Sequence, residues 1–147
     1  MGSFETFVRE TEPRLRRALA GHLSIDVIPD ALAEAYAYAW QHWDRVQQLD
    51  NPAGYLFRVA QSRSRHRRQG LMESRAPTSS REIEPGLERA LHRLTQKQRS
   101  AVWLVYGCGW TYAEAAASLG ISPSAVGTHL QRGLRVLRRT LGALNND

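Results

Sequence analysis

The sequence predicts an all-α protein made of two small helical domains, and three observations carry this prediction. Apolar residues recur at steps of three and four along the 147-residue chain, which is the spacing of one face of a helix. No stretch alternates between apolar and polar residues with the period of two that marks a half-buried strand. Residues 70–85 lose all periodicity and are rich in Ser, Glu and Pro, which predicts a flexible linker between the two halves.

Three helices are predicted in the first half. Helical spacing over residues 3–22 predicts the first helix, which Pro13 is expected to kink or split. The second spans 29–49 and carries an apolar stripe that we expect to be core, formed by Leu32, Tyr36, Ala39, Trp40, Trp43 and Val46. The loop Asp50-Asn51-Pro52 ends it, and a third helix over 53–69 begins apolar and becomes basic.

The second half contains four shorter predicted segments. A helix over 87–94 leads to the capping box Thr95 to Gln98, which starts a helix that reaches about residue 106. A second capping box, Thr111 to Glu114, starts a small-residue helix that ends at Gly120. Ser122 and Pro123 then begin the last helix, whose apolar positions are Val126, Leu130, Leu134, Leu137 and Leu141.

The last two of these helices, joined by residues 120–122, have the arrangement of a helix-turn-helix. In that motif the second helix enters the major groove of DNA with its N-terminal residues at the base edges. With the apolar positions facing the core, the residues left to contact DNA are Ser124, Gly127, Thr128, Gln131, Arg132 and Arg135. Arg138 and Arg139 lie further along and suit phosphates. The alternative is a helical hairpin whose arginines form only a solvated face.

The positive charge is concentrated in two blocks. The net charge is +6, and 19 of the 20 basic residues are arginine, whose planar fork suits phosphates and base edges. By segment, the net charge is −3 over residues 1–50, +6 over 51–81, zero over 82–119 and +3 over 120–147. This layout favours two separate nucleic-acid contacts on one chain.

Several classes of protein are not expected. Cys108 is the single cysteine and, like the five scattered histidines, has no neighbours at metal-ligand spacing, so we expect no metal, no cofactor and no disulfide. Cys108 itself is expected to be an inert buried thiol. No nucleophile motif or phosphate-binding glycine loop is present, which argues against an enzyme. The absence of a long apolar run and of a signal-like start predicts a cytoplasmic protein without membrane insertion.

Two parts of the chain resemble regions of one known family. Residues 30–45 and 51–60 resemble region two of the small sigma-70-family factors called extracytoplasmic function (ECF) sigma factors. Residues 94–99, 111–115 and 119–126 resemble region four of the same family. The resemblance implies a region-two domain at 1–69, a linker at 70–85 and a region-four helix-turn-helix domain at 86–147.

The resemblance also implies a function and its partners. It implies a dissociable initiation subunit, monomeric when free, that binds bacterial core RNA polymerase at the β′ clamp and the β flap and recognises promoter DNA. Many members are held by an anti-sigma factor, for which Trp40, Trp43 and Trp103 are candidate contacts. A stand-alone helix-turn-helix regulator that no longer binds polymerase remains the alternative.

The resemblance assigns residues to each of these contacts. Region four would read the minus-35 element with the helix-turn-helix residues named above. The implied polymerase-binding residues are Asp30, Glu34, Tyr38, Gln41 and Arg45. The implied minus-10 contacts are Asp50 and Asn51 in the loop and Arg58, Gln61, Ser62 and Arg65 in the next helix. Tyr55 and Phe57 are candidate stacking surfaces, of which we expect at least one to be core.

Overall fold

The computed structural model confirms the all-helical prediction. The structure describes residues 3–71 and 85–145, with only the backbone at 65–71, 85, 88 and 143–145. These residues form eight α-helices and no strand. The chain divides into two compact units, Met1–Thr78 and Ser79–Asp147. Within the described part, no helix combines the length and apolar character that crossing a membrane requires.

The first unit contains α1 (Phe4–Ala20), α2 (Ile28–Gln41), α3 (Trp43–Val46) and α4 (Pro52–Leu71). α1 begins at a capping serine, because the Ser3 hydroxyl oxygen accepts a hydrogen bond from the Thr6 N–H at 3.1 Å. It continues without a break through Pro13, which lies on the exposed face. The helix therefore tolerates the loss of one backbone donor on its solvent side.

The predicted helix over 29–49 is wrong in its second half, because the chain leaves helical geometry at His42. The His42 backbone has φ −118° and ψ 33°, and both its N–H and its ring Nδ1 lie within 3.1 Å of the Tyr38 carbonyl oxygen. The imidazole also stacks on the Tyr38 ring with 4.2 Å between centroids. These contacts satisfy the end of α2 and separate it from the single turn of α3.

The core of the first unit lies where α1, α2 and α4 pack against one another. Its large side chains are fully buried and comprise Leu15, Leu19, Val46, Leu56 and Phe57. On α2 the inward positions are small, with Ala31, Ala35 and Ala39 nearly inaccessible to solvent. Phe57 is therefore core, as expected for at least one of the two candidate stacking residues.

The expectation that both tryptophans of α2 and α3 are core is wrong for Trp40. Its side chain is 63% exposed, while Trp43 is half-buried against Phe4 and Phe7. Trp40 occupies the last turn of α2, next to the break at His42, and its ring meets the ring of half-buried Phe4 edge-on, with 5.1 Å between centroids. Helical spacing alone does not distinguish this end position from the interior of the stripe.

The second unit contains α5 (Pro85–His92), α6 (Gln96–Val102), α7 (Tyr112–Leu119) and α8 (Pro123–Asn145). A π-helical turn, Trp103–Gly107, continues α6 toward Cys108. Both predicted capping boxes are present, with Thr95 paired to Gln98 and Thr111 paired to Glu114. Gly120 ends α7 in the left-handed region at φ 70°, which glycine adopts without strain.

α8 packs across α5, α6 and α7 and carries the main apolar seam of this unit. Val126, Leu130 and Leu137 are buried, and Leu134 is half-buried. Trp103 is only 5% exposed, so the suggestion that it offers a surface to a partner is wrong. Cys108 is half-buried, which corrects the expectation of a fully buried thiol.

The boundaries of the predicted linker fall close to the observed helix ends. Gly70 and Leu71 belong to α4, and Pro85 belongs to α5, so both helices extend slightly into the range 70–85. The remaining residues of that range, 72–84, lie outside the described residues.

Candidate functional site

The exposed face of α8 brings together most of the residues predicted to contact DNA. Five of these residues are exposed and follow one another at steps of four, three, one and three: Ser124, Thr128, Gln131, Arg132 and Arg135. Arg138 and Arg139 are also exposed and continue the row. These residues lie opposite the buried seam of Val126, Leu130 and Leu137. Gly127, the remaining predicted residue, is half-buried.

Local hydrogen bonds hold the start of this helix. The Ser122 hydroxyl oxygen accepts from the Ala125 N–H at 3.1 Å, which is the predicted N-cap. The Thr128 hydroxyl donates to the Ser124 carbonyl oxygen at 3.2 Å, so its proton is engaged while its oxygen remains able to accept.

Tyr112 is a further side chain at this face, and the sequence analysis missed it. Tyr112 is the first residue of α7 and is 44% exposed. A Cβ atom placed on Gly127 would lie 3.4 Å from Tyr112 Cε2 and 3.9 Å from Cδ2, so the tyrosine ring lies against the α8 backbone. The available signal was a glycine among residues that all carry side chains, but the side chain next to Gly127 comes from another helix.

The residues predicted to bind polymerase divide between two helices. Asp30 and Gln41 are exposed on α2, and Glu34 and Tyr38 are half-buried there. Their spacing of four, four and three residues places all four on one side of α2. Arg45 is exposed on α3, beyond the break at His42.

Tyr38 is the centre of a polar aromatic cluster, because it contacts three neighbours at once. Its hydroxyl lies 3.0 Å from the Tyr55 hydroxyl, its ring stacks on His42, and the Arg63 guanidinium lies 5.5 Å from its ring centroid. The cluster links α2, which carries most of the predicted polymerase contacts, to α4, which carries most of the predicted minus-10 contacts. Tyr38 and Tyr55 were predicted to have different roles, and no local pattern in the sequence links them.

The pKa of Tyr55 reflects its hydrogen bond within the cluster more than the nearby arginines. The hydrogen bond to Tyr38, with a smaller effect of burial, raises the pKa of Tyr55 above its usual value of 10.0. The nearby charges of Arg45 and Arg58 act in the opposite direction on this pKa. Tyr55 thus lies within the positive field of arginines from α3 and α4.

The loop before α4 supplies one more polar group. Asp50 is exposed, and the Asn51 Oδ1 atom accepts a hydrogen bond from the Gly54 N–H at 3.2 Å, which caps α4. The Asn51 Nδ2 atom is buried and has no hydrogen-bond partner among the described residues. On α4, Arg58 and Ser62 are exposed and Gln61 is half-buried, while the side chain of Arg65 lies outside the described set.

An aromatic cluster covers the other side of α2. Phe4 contacts the rings of Phe7, Tyr36, Trp40 and Trp43, at centroid distances of 5.1–6.5 Å. The Tyr36 hydroxyl lies 2.8 Å from the Thr11 hydroxyl. Burial raises the pKa of Tyr36, and the hydrogen bond to Thr11 partly opposes this rise. The exposed ring of Trp40 forms the outer edge of the cluster.

Two solved structures, one of them a sigma factor, have the same fold. The sigma factor RpoE of Bartonella quintana, in complex with the anti-sigma factor NepR, matches with a TM-score of 0.74 at 23% identity, over 95% of this chain and 96% of that one. CnrH, in complex with the cytosolic domain of CnrY, matches with a TM-score of 0.70 at 22% identity, over 95% of this chain and 88% of that one.

Sequence comparison identifies the family. Residues 86–137, which include α6, α7 and the exposed row of α8 as far as Arg135, match the family model described as sigma-70, region 4. The ECF RNA polymerase sigma factor SigL of Mycobacterium tuberculosis is 30% identical over 132 residues, and the alignment covers 78% of this chain and 75% of SigL. The chain therefore belongs to the ECF sigma factors, which direct transcription initiation at promoters.

Proposed function

We propose that this sigma factor binds core RNA polymerase through its first unit and reads promoter DNA with both units. Residues 1–69 would dock on polymerase and open the minus-10 element, 70–85 would connect the units, and 86–147 would read the minus-35 element. The protein acts by binding and positioning, and performs no chemistry of its own.

The exposed row on α8 is the observation that carries the minus-35 assignment. Ser124, Gly127, Thr128 and Gln131 are nearest the capped start of the helix, where a recognition helix meets base edges. Arg132 and Arg135 are exposed further along and would contact bases or phosphates. The net charge of +3 over residues 120–147 supports an anionic partner on this side of the unit.

The loop before α4 and the outer side of α4 support the minus-10 assignment. The Asn51 amide caps α4 with its oxygen, and its Nδ2 atom is buried without a partner among the described residues, so the side chain would have to turn outward to donate to an unpaired base. The other residues proposed to contact the minus-10 element are Asp50, Arg58, Gln61, Ser62 and Arg65. The arginines around Tyr55 would attract the backbone of the opened strand, and the tyrosine ring is a possible stacking platform.

The polar side of α2 is proposed to dock on the β′ clamp, with the β flap as a second polymerase contact. Asp30, Glu34 and Gln41 would face the clamp, and Tyr38 would join the surface from within its cluster. Arg45, exposed on α3, would extend this surface beyond the break at His42.

An anti-sigma factor is proposed as a further partner. Both solved structures described above are complexes, that of RpoE with an anti-sigma factor and that of CnrH with the cytosolic domain of CnrY. On this chain, Trp40 is an exposed apolar side chain in the last turn of the proposed clamp-docking helix, and a covering partner would bury it. Free of partners, the chain would be a monomer that acts in the cytoplasm, where it meets RNA polymerase.

Size-exclusion co-migration with bacterial core RNA polymerase tests the proposal. The wild-type chain is expected to co-migrate, and an Asp30→Ala, Glu34→Ala double variant is expected to bind at least about tenfold more weakly because it loses two charges at the docking surface. A Glu10→Ala, Asp26→Ala double variant is the matched control, since it removes two exposed carboxylates elsewhere in the same unit.

Either of two results would contradict the proposal. A folded wild-type chain that does not co-migrate would show that polymerase binding has been lost. A double variant at 30 and 34 that binds as well as the control would show that α2 is not the docking surface. Circular dichroism of each variant establishes that it is folded.

A further inference from the structure

Gly127 leaves a gap in the recognition face, and a side chain from another helix fills it. Gly127 follows the buried Val126 and is itself half-buried, so it lies at the edge where the face of proposed base contacts meets the apolar seam. The ring of Tyr112, from the start of α7, lies against it. Of the two ring carbons near a Cβ built at Gly127, Cε2 is the closer at 3.4 Å, so the contact lies toward the hydroxyl-bearing end of the ring.

The position of Tyr112 is well determined by its neighbours. The preceding residue, Thr111, exchanges hydrogen bonds of 3.0 Å with Glu114 in both directions, which holds the first turn of α7. Ala115 and Ala116 are buried, so α7 packs closely in this unit. Nearly half of the Tyr112 side chain nevertheless remains exposed, at 44%.

We propose that Tyr112 is a DNA-contacting residue whose hydroxyl donates a hydrogen bond to a phosphate beside the minus-35 element. In a helix-turn-helix the first helix crosses the DNA backbone while the second enters the groove. Tyr112 belongs to the first helix and borders the second, and a tyrosine hydroxyl is a regular phosphate donor. This inference rests on the proposed function.

Gly127 has a defined part in this contact. A Cβ at this position meets the ring at ordinary van der Waals distance, so alanine fits, but a side chain that extends further would compete with the ring for the same space. Glycine at 127 therefore allows the Tyr112 ring to lie at the recognition face.

A holoenzyme assembled from the full chain and core RNA polymerase provides the test. It is given a pool of duplex promoters randomised at the minus-35 element, the retained sequences are determined, and the affinity for the preferred sequence is measured over a range of salt concentrations. The variants are Tyr112→Phe and Gly127→Leu, alone and together. Tyr106→Phe is the matched control, because Tyr106 is an exposed tyrosine of the same unit, at 64% exposure.

Tyr112→Phe is expected to weaken binding about tenfold for every retained sequence, because it removes a hydrogen bond to a charged group. The preferred sequence is expected to stay the same, and so is the salt dependence, since a neutral hydroxyl displaces no counterion. Tyr106→Phe is expected to match the wild type. In the Gly127→Leu background, Tyr112→Phe is expected to have little further effect, because the ring is already displaced.

Three results would overturn the inference. Wild-type affinity in Tyr112→Phe would show that the hydroxyl makes no contact. A changed preferred sequence in that variant would show that Tyr112 reads a base and not a phosphate. A wild-type holoenzyme that selects no minus-35 sequence would refute the proposed function, and this inference with it.

Discussion

Individual residues show how far an apolar pattern predicts burial. Trp40 and Trp103 both lie in predicted helices and were both candidate partner contacts, yet Trp40 is 63% exposed and Trp103 is 5% exposed. Trp40 ends a helix at the edge of its unit, whereas Trp103 starts the π-helical turn inside the packed second unit. The difference depends on which other helices cover each position.

This difference predicts unequal effects on stability. Trp103→Ala is expected to reduce the free energy of unfolding of its unit by about 3–5 kcal/mol, because it empties a buried aromatic site. Trp40→Ala is expected to reduce that of the first unit by about 1 kcal/mol, the size of its edge contact with Phe4. Urea unfolding followed by circular dichroism measures both. Equal losses would contradict the assigned exposures.

Two residues predicted to contact partners also have structural roles. Asn51 caps α4 with its oxygen, and Tyr38 binds Tyr55 through its hydroxyl. Substitutions at these positions would change stability and binding together. Exposed residues such as Arg58 and Arg132 are therefore the cleaner probes of binding.

At the scale of whole elements, the packing of α8 depends on a glycine that the sequence analysis did not single out. Gly133 is buried, and a Cβ there would lie 2.8 Å from Val102 Cγ2 and 3.4 Å from the Gln98 carbonyl oxygen. The β-branched side chain of Val102 has little freedom to move aside. The close approach of α6 and α8 therefore requires glycine at 133.

The two glycines of α8 should respond in opposite directions to the same substitution. Gly133→Ala is expected to destabilise the second unit by about 1–2 kcal/mol through overpacking against α6. Gly127→Ala, its matched control, is expected to stabilise the unit by up to about 1 kcal/mol, because alanine favours the helix and its Cβ fits against Tyr112.

Urea unfolding can measure both effects in the intact chain. With Trp40 and Trp43 replaced by Phe, the fluorescence of Trp103 and Trp110 reports on the second unit. A Gly133→Ala variant as stable as Gly127→Ala would show that α6 and α8 are not in such close contact.

At the scale of the whole molecule, each unit carries its own basic segment. The stretch 51–81 has a net charge of +6 and includes all of α4, whereas 120–147 has +3 and includes α8. Most of the proposed minus-10 contacts lie on α4, and the proposed minus-35 contacts on the recognition face lie on α8. Initial promoter binding and strand opening are therefore expected to depend on different arginines.

Single substitutions can separate the two steps. Arg132→Ala is expected to weaken initial binding of promoter DNA by the holoenzyme and to lower the salt slope by about one. Arg58→Ala is expected to leave initial binding nearly intact and to reduce opening, measured as permanganate reactivity of unpaired thymines. Arg9→Ala, an exposed arginine on α1, is the control. Equal effects of Arg58→Ala and Arg132→Ala on both steps would refute this division.

Much of the second unit was predictable, because its signals are local. Each of these signals involves residues within a few positions of one another. They are the capping boxes at 95–98 and 111–114, the left-handed Gly120 and the Ser122 cap. The exposed row of α8 follows from helical period once its apolar seam is recognised. The break at His42 was not predicted, because it depends on the His42 imidazole. This ring lies within hydrogen-bond distance of the Tyr38 carbonyl oxygen and stacks on the Tyr38 ring.

Several features could be predicted from residue order, because they depend on short-range spacing and on charge. They are the helical class, the order and caps of the helices, the two basic segments and the helix-turn-helix face. Four other features could not be read from residue order. They are the hydrogen bond between Tyr38 and Tyr55, the contact of the Tyr112 ring with Gly127, the close approach of α8 to Val102 and the exposure of Trp40. Each of these depends on side chains from different helices, or on what covers a helix end. The packing of helices brings such residues together, and no local period in the chain records it.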